Sequence, residues 1–595
     1  MARPLDPRAQ RELVKADEAR RAGKLAEAER SLRALLKREP RAALAWTVLA
    51  KTLAAKGDPE VAEATYARAV ALDPDALEAR VNLGVSLAGR GAAQEAVVHL
   101  RAAARLAPTH ALVLRNLGGV LRTAGALEEA VGVLERAIAL DVADPGAYTN
   151  LGLALSSLGR HAEALPHLER AVALGSHEPL YHDNLLMLMH YDDTCSAEAI
   201  AAAHRRYGAI VEARTPRLPA VVPGPLEGRP LRVGLVSADL HRHSVAFFLE
   251  SLLGYAGRAS SELFAYSASR VADAVTARIR PFFREFREIV ALDDAAAAAL
   301  VRADAIDVLV DLGGHTQGNR LGVFARRPAP VQMTYLGYPN TTGLTTIDYR
   351  ISDAWSDPPG RADAWHTERL LRLPSGFLCY RPPEDSPEVA PAPSTLGHPP
   401  TFGSFNALAK LSERTLALWG RLLRETPEAR LLVKQSFLSD AESRASFERR
   451  LAQHGFPRER VELLGHVAGL DAHLAAYARV DVALDSFPYH GTTTTCDALW
   501  MGVPVVTLAG EAHVSRVGVS LLSRMGAQAQ IAADDDAYVA GARALLRDEA
   551  QRVTMRAQAR ARLVEAGIVG GDRVAATFFD ALRGAWEASV GGGSG

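Results

Sequence analysis

Cysteine is nearly absent from this chain: Cys195, Cys379 and Cys496 are the three in 595 residues, and they lie far apart. So few, so spaced, they exclude a disulfide framework and a Cys-based zinc site, and they suit a reducing compartment, so a cytoplasmic location is expected. An excess of one charge is lacking as well. Lysine plus arginine number 68 against 69 for aspartate plus glutamate, a net charge of −1, so no basic surface points to nucleic acid. No apolar run approaches the ~20 residues of a membrane span, so no membrane partner is expected. Residues 1–12 are charged and carry no apolar core segment, which predicts no signal peptide. Neither a G-x-x-x-x-G-K-[ST] loop nor a G-x-G-x-x-G turn after a strand occurs, so ATPase and dinucleotide readings lose their support. The end, Gly-Gly-Gly-Ser-Gly at 591–595, reads as a flexible tail.

What the chain does have is an echo. Gly23, Gly57, Gly91, Gly125 and Gly159 are spaced by 34 residues, as are Ala28, Ala62, Ala96, Ala130 and Ala164. Leu49, Leu83, Leu117, Leu151 and Leu185 keep the same period, and so do Pro40, Pro74 and Pro108. That period, with small residues at fixed offsets, is the mark of the tetratricopeptide (TPR) repeat, an antiparallel helix pair that stacks into a superhelical α-solenoid. Residues 8–192 are read as this solenoid, about five pairs and a partial one, with Lys15 in a leucine position marking an atypical first repeat. Asn82, Asn116, Asn150 and Asn184 form a second ladder, one residue before each repeated leucine. They are either a solvated face or a peptide-binding row, because an amide offers donor and acceptor together.

The pattern then changes. Residues 193–229 read as a bridging helix, 197–214, and a Pro-rich linker. Candidate strands follow at 231–237, 263–267, 306–312, 331–336 and 349–352, in a first βα module over 230–385. A second module over 398–588 has candidate strands at 401–406, 430–434, 461–464, 481–485 and 504–508. Two such modules predict two doubly wound parallel sheets with a cleft between them, ligands sitting at the carboxyl ends of the strands.

The strand-end loops are where chemistry is expected. In 484–504 a strand ends at Asp485, a turn holds Pro488 and Gly491, and Thr492, Thr493, Thr494 and Thr495 stand at a helix start. Unpaired N–H groups and hydroxyls at the positive end of a helix suit a diphosphate, and β-branched runs are poor choices for a helix interior. The plainer alternative is that Thr492 is an N-cap. Asp497, one turn on, can accept from ribose hydroxyls. Asn406 and Lys410 follow the first strand of the second module, where a lysine either reaches phosphate oxygens or is solvated. His473 either stacks on a nucleobase or lies on the surface. In the first module, His241 and His243 lack a third metal ligand at metal spacing, so no metal is expected, and a general base or sugar donor is the reading. The polar Gly-rich loops 313–320, with His315, and 336–343, with Gly337 and Pro339, are read as shaping a sugar pocket.

Leu231-Arg-Val-Gly-Leu-Val-Ser-Ala-Asp, Arg327-Pro-Ala-Pro-Val-Gln, Leu336-Gly-Tyr-Pro-Asn-Thr-Thr-Gly and the threonine loop, placed after TPR repeats, together resemble the O-linked N-acetylglucosamine transferases, and within them the SPINDLY branch (glycosyltransferase family 41). The resemblance covers nearly the whole chain. It implies a GT-B fold of two Rossmann-like lobes and inverting transfer of a sugar from a nucleotide donor to protein Ser or Thr, with no metal and no other cofactor. It implies His243 as a proposed base, Lys410 against the departing diphosphate, His473 stacked on the nucleobase, Thr493 and Thr494 on phosphate, Asp497 on ribose and the asparagine ladder on peptide. Thr492 replaces a histidine of the animal enzymes, and Leu470 and Ala476 replace the lysine and arginine flanking the stacking histidine. The threonine run and His315 resemble SPINDLY proteins, which include O-fucosyltransferases. The donor expected is UDP-GlcNAc, with GDP-fucose as the alternative. The rival readings are a non-catalytic TPR scaffold that senses nucleotide sugars, and a glycosyltransferase acting on asparagine or a small acceptor.

Overall fold

The computed structural model describes residues 5–591. Of the tail expected to be flexible, Gly591 closes the last helix, and 592–595 lie outside the described residues, as do the first four residues. The chain divides into two compact units. One holds the chain up to Leu158 together with Pro166–Leu174 and Asp440–Ser443, and the other holds the remainder.

The first unit is built from helix pairs: Pro7–Arg21 with Leu25–Arg38, Ala43–Lys56 with Pro59–Leu72, Leu77–Gly89 with Ala93–Leu106, and Ala111–Ala124 with Leu127–Leu140. Pro145–Ser157 opens a fifth pair, and the division between the units falls inside its second helix, His161–Leu174. The repeated glycines explain the period. Gly23, Gly57, Gly91, Gly125 and Gly159 all have φ between 76° and 91°, the left-handed conformation that ends one helix and starts the next at low steric cost. The repeated alanines at 28, 62, 96 and 130 are buried where the helices touch. At Gly84 and Gly118 the approach is closest: a Cβ on Gly118 would lie 2.3 Å from Leu134 Cγ.

The second unit opens with the helices Pro179–Met189 and Ala197–Arg214 and then holds two parallel sheets. The first contains β1 (Leu231–Ser237), β2 (Ser261–Ser267), β3 (Glu285–Glu288), β4 (Val308–Asp311), β5 (Val331–Thr334), β6 (Tyr349–Ser352) and β7 (Arg369–Arg372), in the order β3-β2-β1-β4-β5-β6-β7. The second contains β8 (Thr401–Ser404), β9 (Arg430–Lys434), β10 (Val461–Leu464), β11 (Val482–Leu484), β12 (Val505–Leu508) and β13 (Ile531–Ala532), in the order β10-β9-β8-β11-β12-β13. Each sheet reverses its strand order once, between β1 and β4 and between β8 and β11, and the loops leaving those strands are therefore splayed into a crevice.

β3, β7 and β13 are strands that the apolar pattern did not signal. All three are at sheet edges; β3 reads Glu-Phe-Arg-Glu and β7 Arg-Leu-Leu-Arg, with charged ends suited to a half-solvated edge rather than to a buried run. The last helix, Asp572–Gly591, follows the second sheet in sequence but packs on the first, with Phe578 5.2 Å from the Tyr335 ring and Phe579 6.3 Å from Tyr255. Among the described residues, no helix is long and apolar enough to cross a membrane.

Gly118→Ala is expected to destabilise the repeat unit by about 1–3 kcal/mol, because Leu134 is fully buried and has no room to give way. Chemical denaturation followed by circular dichroism checks this; an unchanged midpoint means that the two helices tolerate a wider spacing.

Candidate active site

A cleft of about 510 Å³ is lined by the loops that leave β1, β5, β7, β8, β9, β11 and β12. It brings together His243, Gly337, Pro339, Asn406, Lys410, Thr492, Thr493 and Thr494 from the residues singled out in the sequence. It adds Phe405, Lys434, Gln435, Tyr489 and His513, which sequence reasoning passed over.

The threonine loop is held open by a buried carboxylate. Asp485 Oδ1 accepts from the N–H groups of Ser486 (3.0 Å) and Gly491 (2.7 Å), and its Oδ2 accepts from the Thr507 hydroxyl (2.9 Å). The helix Thr493–Trp500 therefore begins at the cleft, and Thr492 at its N-cap makes no side-chain capping bond. The N–H groups of its first turn have no intrahelical acceptor and carry the positive end of the helix dipole. Thr494 donates its hydroxyl to Asn406 Oδ1 at 2.6 Å, which joins the β8 and β11 loops. Thr495 is buried behind this surface and does not line the cleft.

Lys410 reaches the same place from the short helix Leu408–Lys410. Its ammonium donates to the His490 carbonyl at 2.9 Å and lies 4.2 Å from the centroid of the Tyr489 ring. Burial pushes its pKa down to about 8, against a smaller opposing pull from Asp485. A desolvated ammonium short of a counter-charge is a strong anion receptor.

Beyond Lys410 the cleft wall is Phe405, Lys434, Gln435 and Ser436. His473 stands behind this wall. Its Nδ1 accepts from Lys434 Nζ at 2.7 Å, and its Nε2 lies 3.5 Å from Asp497 Oδ2. Asp497 is buried, with Oδ1 accepting from the Tyr380 hydroxyl at 2.5 Å. Neither residue lines the cleft as it stands; Phe405 and Lys434 occupy the wall where a stacking His473 is expected. Burial also lowers the Lys434 pKa, with Asp497 working the other way. The one signal for Lys434 in the sequence is a lysine at the carboxyl end of a buried strand.

On the first lobe, Leu336, Gly337 and Pro339 form part of the wall. A Cβ on Gly337 would lie 1.9 Å from the Leu312 carbonyl oxygen, so only glycine fits there, and Leu336 is held at φ 71°, a strained backbone for a branched residue. His315 does not join this wall. It is buried, with Nδ1 2.7 Å from Asp183 Oδ1 and Nε2 2.9 Å from the Thr342 carbonyl, so both nitrogens are taken up inside the fold and it braces the loop instead of touching a ligand.

His243 caps the helix Ser244–Leu253. Its Nδ1 accepts from the Val245 N–H at 3.3 Å and lies 3.7 Å from Asp239. Burial lowers its pKa, partly offset by Asp239. In the neutral tautomer that this contact selects, Nε2 carries the proton, so the ring donates into the cleft instead of accepting from it.

In the first unit, Asn82, Asn116 and Asn150 occupy one position on the first helix of successive pairs and are half-buried. Asn184 lies on Pro179–Met189 in the second unit. Asn82 and Asn184 each donate to the carbonyl four residues back, at 2.9 Å. That leaves their carbonyl oxygens for other donors.

A model of glycosyl transferase family 41 matches residues 176–380 and 399–572, and a tetratricopeptide repeat model matches 13–76, 47–111 and 115–179. The chain is 39% identical over 409 residues to a probable UDP-N-acetylglucosamine–peptide N-acetylglucosaminyltransferase SPINDLY of Solanum lycopersicum, covering 68% of this chain and 44% of the relative. It is 25% identical over 450 residues to the UDP-N-acetylglucosamine–peptide N-acetylglucosaminyltransferase of Caenorhabditis elegans, covering 56% of this chain and 38% of that one. The matched region thus spans less than half the length of these curated relatives. Among solved structures, a mutant of the Thermobaculum terrenum O-GlcNAc transferase superposes with a TM-score of 0.82 at 34% identity, covering 87% of this chain and 99% of that one.

Asp485→Ala is expected to cost about 2–4 kcal/mol, because it strands buried donors at Gly491, Ser486 and Thr507. Urea unfolding measures it, and a loss under about 0.5 kcal/mol means that the loop holds its shape without the carboxylate.

Proposed function

The chain belongs to glycosyl transferase family 41, and from that premise we propose that it is an inverting protein O-glycosyltransferase, taking a sugar from a nucleoside-diphosphate donor to Ser or Thr hydroxyls of proteins bound by its TPR repeats. The observation that carries the reading is the convergence of the desolvated Lys410 ammonium, the Asn406–Thr494 pair and the unpaired N–H groups of Thr493–Trp500 on one cleft. These groups meet a diphosphate and the charge that grows on it as it leaves. Because this charge is met by the lysine and the helix start, the scheme calls on no metal and no other cofactor.

The donor's diphosphate lies along Thr492, Thr493 and Thr494 and against Lys410. Its nucleoside runs toward Phe405, Lys434 and Gln435, with Asp497 and His473 behind to take up ribose and base once side chains adjust. Its sugar faces Gly337, Pro339 and His243, whose Nε2–H donates to a sugar or acceptor oxygen. The acceptor oxygen then attacks the anomeric carbon in line with the departing diphosphate. UDP-GlcNAc is the favoured donor, supported by the names of the curated relatives, which are called UDP-N-acetylglucosamine–peptide N-acetylglucosaminyltransferases. The carbonyls of Asn82, Asn116, Asn150 and Asn184 are proposed to hold the acceptor peptide. The scarcity of cysteine, three in 595 residues, suits a cytoplasmic enzyme.

Calorimetric titration with UDP, GDP, UDP-GlcNAc and GDP-fucose tests the reading. UDP is expected to bind more tightly than GDP; the reverse moves the donor to GDP-fucose, and no binding by any of the four overturns the nucleotide-sugar reading. Lys410→Ala is expected to lower kcat by about 10²-fold or more. The pH dependence has a definite sign. The anion binds the protonated lysine, so affinity holds below pH 8 and weakens as pH rises through about 8, by up to about tenfold per unit. This limb should vanish in Lys410→Ala. A limb that persists there places the titrating group elsewhere.

A further inference from the structure

Two histidines line the cleft, and the scheme above leaves one of them unused. His513 begins the short helix His513–Ser515 after β12 in the second lobe and is almost fully buried. Its Nδ1 lies 2.6 Å from Asp357 Oδ2, a carboxylate on the first lobe that is itself fully buried and also accepts from the Ser352 hydroxyl. A carboxylate at that distance accepts a hydrogen bond from Nδ1–H and leaves Nε2 with its lone pair. Among the described residues Nε2 has no hydrogen-bond partner, and the ring forms part of the cleft wall. The Phe377 ring meets it edge-on at 5.0 Å and fixes its plane.

Three other candidates near the cleft are spoken for. His243 has its lone pair on the Val245 N–H. Asp311 accepts from Gly313, Gly314 and the Thr334 hydroxyl, and Asp485 accepts from Ser486, Gly491 and Thr507. The dyad is assembled from both lobes, and it is flanked by two further bonds that join them: Ser520 donates to Asp353 at 2.6 Å, and Arg516 Nε donates to the Trp355 carbonyl at 2.8 Å.

Resting on the glycosyltransferase reading, we propose that His513 Nε2 receives the proton of the acceptor hydroxyl during sugar transfer, with Asp357 as the positioning residue that sets its tautomer. The acceptor oxygen forms a bond to the anomeric carbon while the bond from that carbon to the phosphate oxygen breaks. The electron pair of the broken bond leaves with the diphosphate, against Lys410. The proton passes to Nε2, and the imidazolium is held by the Asp357 carboxylate until it releases the proton to water. An imidazole whose lone pair is held in place by a buried carboxylate on its other nitrogen is well matched to this task.

Wild-type transfer to a protein acceptor is measured first, with UDP-GlcNAc and with GDP-fucose; absence of transfer from both overturns the glycosyltransferase reading and the dyad together. His513→Ala is then compared in the full chain. The expected result is a fall in kcat of about 10²–10⁴-fold, with donor KM and nucleotide affinity within about threefold of wild type. Added imidazoles should restore part of the rate, more so as their basicity increases. Asp357→Asn should lower kcat without changing nucleotide affinity, because it favours the wrong tautomer. If His513→Ala no longer binds nucleotide, His513→Gln, which fills the space, carries the same comparison. A variant at 513 that binds nucleotide and turns over within about fivefold of wild type overturns the proposal. So does a slow variant that no imidazole rescues.

Discussion

A lysine ammonium kept partly out of water is the constraint from which the rest of the site follows. Lys410 has one carbonyl, that of His490, the face of Tyr489 and a pull from Asp485 to stabilise it, which together are too little to offset its lost hydration and leave its pKa at about 8. An anion placed there recovers that deficit, so the cradle is preorganised for negative charge before any ligand arrives. The cradle is itself supported in layers. Tyr191, just after the helix Pro179–Met189, stacks on Tyr489 at 5.0 Å, and His490 is pinned by the Leu508 carbonyl and the Gly518 N–H. A residue just beyond that helix therefore touches the ring on which the lysine sits.

Five histidines of the second unit play two different parts, set by what their ring nitrogens touch. His190 and His204 both contact the Tyr338 hydroxyl, at 3.0 and 2.8 Å, and His315 packs edge-on against the same ring. Burial drives the pKa of His190 down to about 3 and that of His204 well below its ordinary value, so these rings stay neutral and behave as polar packing units. Their work is to brace the loop carrying Leu336, Gly337 and Pro339, whose strained backbone would otherwise relax. His243 and His513 instead reach the cleft, and their hydrogen-bond partners set opposite tautomers. One ring donates, and the other holds a lone pair.

Much of the architecture was legible in the residues. The 34-residue period announced the helix pairs because each glycine must take positive φ and each alanine must let two helices touch. Buried parallel strands read as apolar runs, so β1, β6 and β9 fall where the pattern put them, and the half-buried edge strand β10 does so through its Val-Glu-Leu-Leu sequence. The edge strands β3, β7 and β13 were hidden because half-solvated edges need no such run. The threonine loop and Lys410 were legible for a different reason: four β-branched residues at a helix start and a lysine after a buried strand are both unfavourable unless something is gained by them.

What the chain determined by itself is local and periodic: the repeats, the strands that lie inside the sheets, and the loops that leave the strand ends, all dictated by neighbours a few residues apart. Only the tertiary structure decided which of those loops share a cleft, because that depends on where each sheet reverses its strand order. It moved His315 into the interior, set Phe405 and Lys434 in front of His473, and drew Asp357 and His513 together from positions 156 residues apart. Hydrogen bonds to a buried side chain depend on distance in space, and sequence separation places no limit on them. For that reason several cleft residues were visible in the sequence, but His513 and Lys434, and the division of the others into cleft-lining and supporting groups, were not.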